Sequence, residues 1–129
     1  MNRAEVNAFV DNWLRAWNDH DLEGVLGHFS DDVVFASPLA TQLLADSDGV
    51  LRGKAALREY WAEGLRLIPD LRFDVVGVYL GVGVLVINYK NQKGGLVNEV
   101  LVFDGDLVDK GYGTYLSNGS DLAGAGHNR

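Results

Sequence analysis

The sequence predicts an α+β fold, with helices in the first half of the chain packed on one face of a curved antiparallel sheet supplied by the second half. Three observations lead there. Apolar residues repeat with a helical period of about 3.6 up to Pro69 and with a period of about 2 beyond it. The second half divides into apolar runs separated by short turns, which is the order of an antiparallel meander. Glycines stand inside or beside those runs at Gly77, Gly83, Gly111 and Gly113, and since strand interiors disfavour glycine they point to bulges and a strong bend.

Val6, Phe9, Val10, Trp13, Leu14 and Trp17 make one face of a first helix, opposite Asp11, Asn12, Arg15 and Asn18. Asn18 to Asp21 breaks it, and Asp21 caps a short second helix whose apolar face is Leu22, Val25, Leu26 and Phe29. Ser30-Asp31-Asp32 reads as a turn and Val33-Val34-Phe35 as a short strand ended by Pro38. Residues 39–52 show no clean period and carry Asp46-Ser47-Asp48-Gly49, so they read as a loop long enough to cover something. Gly53 opens a third helix with Leu57, Tyr60, Trp61, Gly64 and Leu65 on one face, and Pro69-Asp70 closes it. The strands that follow begin with Leu71, Phe73 and Val75 in alternation, then run over Val82 to Tyr89, Leu96 to Phe103 and Leu107 to Leu116. If Tyr89 pairs with Val97 and Ile87 with Glu99 across the Asn91 to Gly95 turn, Tyr89 shares a face with Glu99; a one-residue slip puts Asn88 there instead.

The 129 residues fit one domain over 1–116 followed by a small polar tail, 117–129. With no cysteine, the chain has no thiolate nucleophile, disulfide or iron–sulfur ligand. Eleven basic against 18 acidic residues give a net charge of −7, which opposes binding to nucleic acid. The longest apolar stretch, Val75 to Ile87, is too short and too broken by glycine to span a membrane, and the first residues lack the apolar core of a signal peptide, so the cytoplasm is the expected location. No metal or cofactor is expected: Asp31 and Asp32 are adjacent and point apart, His20 lies between helices, His28 on the polar side of the second helix and His127 in the tail.

The order of elements and several local motifs together resemble the nuclear transport factor 2-like superfamily and, within it, the SnoaL-like domains. The residues that carry the resemblance are Trp17-Asn18-Asp19-His20-Asp21-Leu22-Glu23, His28-Phe29-Ser30-Asp31-Asp32-Val33-Val34-Phe35 with Ser37-Pro38, Arg52-Gly53-Lys54-Ala55-Ala56-Leu57, Pro69-Asp70-Leu71 and Phe103-Asp104-Gly105. The resemblance implies a cystatin-like α+β cone with a small-molecule cavity at its wide end and a homodimer joined through the outer face of the sheet, where Val84, Val86, Val100 and Val102 would lie. It does not imply one activity, because such domains include isomerases, cyclases, dehydratases, epoxide hydrolases and non-catalytic binding or protein-interaction modules.

Against the isomerases of that superfamily, Trp13 stands where a tyrosine oxyanion donor is found and Ser37 where the base is found, so that reaction lacks its base here. The third position is kept as a carboxyl group, Glu99. It shares parity with Val97, Leu101 and Phe103, a lone acid on an apolar face, and is the candidate catalytic acid or base. Aromatics on helical and strand faces read first as core, but the resemblance implies that Trp13, Trp17, Phe35, Tyr60 and Trp61 wall the cavity, and with Ser37, Tyr89 and Tyr112 they are the expected lining for a small hydrophobic ligand. The two readings are an enzyme of the lyase, isomerase or cyclase type, and a binding module in which Glu99 anchors a polar group.

Overall fold

The computed structural model describes residues 1–117; beyond Ser117 the expected polar tail, with His127, lies outside the described residues. The first helix, α1 (Arg3–Asn18), starts with a reciprocal cap in which the Glu5 amide donates to Asn2 Oδ1 and the Asn2 amide to Glu5 Oε1, both at 2.8 Å. Asp21 caps α2 (Leu22–Leu26) as expected, accepting from the Gly24 amide at 3.0 Å. This helix is shorter than its apolar pattern suggests. Phe29, placed on its face by periodicity, instead begins β1 (Phe29–Ala36), and Ser30 to Asp32 lie within that strand at a register irregularity rather than in a turn.

The segment 39–52 is not a plain loop. It holds a single helical turn, α3 (Ala40–Leu43), and a short edge strand, β2 (Val50–Arg52), paired antiparallel with β1. Then comes α4 (Lys54–Leu67), followed by the meander β3 (Asp74–Leu80), β4 (Val84–Lys90), β5 (Leu96–Asp104) and β6 (Leu107–Tyr115). The curved, open sheet has the order β2-β1-β6-β5-β4-β3, antiparallel throughout except where β1 runs parallel to β6. Both ladder pairs read from the sequence, Tyr89 with Val97 and Ile87 with Glu99, are formed.

The inner face of the sheet packs against α1 and α4 through a run of rings. Trp13 contacts Phe73 and Tyr89, and Trp61 meets Trp17, Phe29 and Phe35 edge-on at 5.1 to 5.3 Å. Leu71 and Phe73, expected as strand, are buried but precede the ladder. Asn18 takes the place of a neighbouring strand, its Oδ1 accepting from the Phe73 amide at 2.8 Å and its Nδ2 donating to the Phe73 carbonyl at 3.1 Å.

The expected glycine bulge occurs at Gly77, beside the register shift in β3. Gly111 and Gly113 serve another purpose. A Cβ on Gly111 would lie 2.6 Å from the Phe35 ring, and one on Gly113 would lie 3.3 Å from Ser37 Oγ, so these glycines let β1 side chains lie across β6. No helix among the described residues is long and apolar enough to cross a membrane.

Candidate functional site

Three inner rows of the sheet converge on one place. Tyr89, Val97 and Tyr115 form one row; Ile87, Glu99 and Gly113 form the next; Leu85, Leu101, Gly111, Phe35 and Leu51 form the third. Because Gly113 has no side chain, Ser37, just past β1, lies over it in the space beside the Glu99 row of β5. Tyr60 reaches into that space from α4, donating its hydroxyl proton to Ser37 Oγ at 3.2 Å. Ser37 Oγ also accepts from the Leu39 amide at 3.2 Å. The Tyr89 hydroxyl donates to Glu99 Oε1 across a long 3.4 Å.

These groups line a cavity of about 70 Å³ whose remaining walls are the rings of Trp17, Phe35, Trp61 and Phe73 and the aliphatic chains of Leu39, Leu43, Leu65, Ile68 and Leu71. No lysine, arginine or histidine is among its lining residues. Glu99 is 6% exposed. Burial, only partly opposed by the Tyr89 hydroxyl, raises its pKa to about 8, so the carboxyl group keeps its proton at neutral pH. Burial and the neighbouring Glu99 also push the tyrosines up, Tyr115 to about 12 and Tyr60 and Tyr89 well above their ordinary range. The site is therefore a set of neutral hydrogen-bond donors in an apolar box. It can polarise or protonate an oxygen, and it offers a ligand anion no countercharge.

Six of the eight wall residues read from the sequence line this cavity: Trp17, Phe35, Ser37, Tyr60, Trp61 and Tyr89. Two are placed elsewhere. Trp13 is fully buried but outside the lining, set against Phe73 and Tyr89, which do line it; its indole N–H has no partner. Tyr112 is 42% exposed on the opposite face of the sheet. An uninterrupted ladder from the Asp104–Leu107 turn would set Tyr112 opposite Glu99, but a register shift after Phe103 pairs Glu99 with Gly113 and turns Tyr112 outward. By the same shift Tyr115 joins the cavity. Leu39 and Leu43 were hidden in a segment without a period.

His20 caps rather than lines, with its Nε2 2.9 Å from the Leu71 carbonyl oxygen. His28 lies tilted against the Phe9 ring, outside the cavity lining, with Nε2 unpartnered. Among the described residues no group of histidine, aspartate and glutamate side chains is arranged to hold a metal ion.

A family model for SnoaL-like domains matches residues 10–88. The chain is also similar to a SnoaL-like protein of unknown function from Burkholderia thailandensis, with 38% identity over 91% of this chain and 99% of that one and a TM-score of 0.83. The chain belongs to the SnoaL-like family. Two more distant solved structures share the fold. One is a cystatin-like protein of unknown function from Methylobium petroleophilum, 15% identical over 92% of this chain and 80% of that one, TM-score 0.71. The other is TerC, co-crystallised with polyporic acid, 14% identical over 87% and 91%, TM-score 0.71. No protein with a curated description matches the sequence.

Proposed function

We propose that this protein binds a small apolar carbonyl compound in the cavity and acts on it as a lyase, isomerase or cyclase with Glu99 as the acid. The observation that carries the reading is a carboxyl group buried among rings, without a cation, that holds its proton at neutral pH. Such an acid donates to an oxygen on which negative charge develops, and it does so more effectively in an apolar site than in water. In this reading the ligand's carbonyl oxygen accepts from Glu99. It takes the proton as the neighbouring carbon gives one up to water, and the Glu99 carboxylate regains a proton when the enol collapses. TerC, of the same fold, was co-crystallised with polyporic acid, which is in keeping with a fold that takes a small-molecule ligand.

The test is exchange of protons beside the carbonyl of simple ketones in heavy water, followed by NMR. The wild type should catalyse exchange, with a rate that falls as pH rises through about 8, where Glu99 loses its proton. Glu99→Gln should lower the rate by about a hundredfold or more. Exchange at the wild-type rate in that variant, or no exchange with any ketone, would overturn the reading.

The partner supported by the same description is a second copy of the chain. The outer sheet face carries a row of Tyr79, Val86, Val100, Tyr112, Ala36 and Val50, one residue from each strand, which is wide enough to seat another sheet.

A further inference from the structure

We infer that Leu43, carried on α3, limits the ligand to a single ring or a molecule of similar size, and that Gly64 on α4 leaves the room Leu43 needs to yield. This rests on the carbonyl-ligand reading above and names its size class. The cavity volume of about 70 Å³ is roughly half that of an apolar cavity known to take one benzene ring, about 150 Å³. A ring seated wholly inside therefore requires a wall to give way.

Most walls cannot. Tyr89, Glu99 and Tyr115 stand on strands fixed by continuous ladders, and Trp61 is held by ring contacts with Trp17, Phe29 and Phe35. Leu43 is different in three respects. It is half-buried, its helix is a single turn with no side-chain cap, and it faces α4 at a residue with no side chain. A Cβ on Gly64 would lie 3.7 Å from Leu43 Cδ1, an ordinary contact, and would fill the space beside that methyl group. The segment that carries it is pinned where it joins the sheet, by the Ser37 amide donating to the Gly49 carbonyl at 2.9 Å. Ser37 is also tied to the turn, its Oγ accepting from the Leu39 amide and its carbonyl from the Ala40 amide, so Leu43 yields by rotating its side chain and not by moving the turn. A second fused ring would need more space than a rotated leucine supplies, because the rest of that wall is Leu39, Leu65 and Ile68.

The experiment is calorimetric titration of the wild type, Leu43→Ala and Gly64→Ala with three ketones that share one polar group and differ in ring count: cyclohexenone, tetralone and fluorenone. The wild type should bind cyclohexenone and discriminate against the two-ring and three-ring ketones by roughly ten- to a hundredfold. Leu43→Ala should erase most of that discrimination. Gly64→Ala, which keeps the helix and should raise its Tm, should weaken all three ketones and the larger ones most. Fluorenone binding as tightly as cyclohexenone to the wild type, or a preference unchanged in Leu43→Ala, would overturn the size limit while leaving the carbonyl reading in place. Failure of every ketone to bind any of the three proteins would overturn the carbonyl reading and the size limit with it.

Discussion

At Glu99 the same burial that suits an acid for chemistry costs stability. Its folded-state pKa of about 8 lies above the ordinary carboxyl value, so between about pH 4.5 and 8 the unfolded chain ionises at this residue while the folded chain keeps the proton. The unfolded state binds fewer protons, and stability must fall as pH rises through that window, by a few kcal/mol in all. Glu99→Gln removes the titration and keeps the shape. Its Tm should match the wild type near pH 5 and exceed it at pH 8, measured by calorimetry. Parallel Tm curves for the two proteins would show that Glu99 is not held neutral. His28 contributes in the opposite direction. Burial and Arg15 lower its pKa, so stability is lost below about pH 6.5 as the ring is forced to take a proton.

Among elements, the join between α1 and β3 shows how a side chain completes a sheet. Asn18 donates to and accepts from Phe73, and His20 contacts the Leu71 carbonyl, so the approach to β3 is satisfied by the end of a helix. Asn18→Ala leaves both Phe73 groups without their partner and should cost about 1–3 kcal/mol, read from the urea midpoint; an unchanged midpoint would mean that water replaces both bonds. This join also marks a boundary of what the sequence could tell. Long amphipathic helices, the meander and the pairing of Glu99 with Ile87 were legible, because each follows from a period or from one turn. The short elements of 39–52 were not, since a single helical turn and a three-residue strand are too brief to show a period. Trp13 and Tyr112 were assigned to the cavity for different reasons. A helical face says that Trp13 is buried but not how deep, and Tyr112 was reversed by one extra residue in a ladder. Glu99 was legible from two signs together, its parity with Val97, Leu101 and Phe103 and the carboxyl position that it keeps in the family it resembles.

For the whole molecule, the sheet has two apolar faces and the described residues cover only one of them. Leu85, Ile87, Tyr89, Val97 and Leu101 point into the core, while Val84, Val86, Val100 and Val102 alternate to the outside and stay half-buried. Tyr79 and Tyr112 extend this outer band and are 64% and 42% exposed. A net charge of −7 keeps copies apart in general, so a specific apolar band is needed to bring two together. The wild type should therefore scatter light as a particle of twice the 14.1 kDa chain mass. Val100→Asp, which sets a charge in the middle of the band and leaves the inner row untouched, should reduce it to the chain mass with an unchanged far-ultraviolet spectrum. A wild-type monomer, or a Val100→Asp dimer, would show that the outer face serves some other contact.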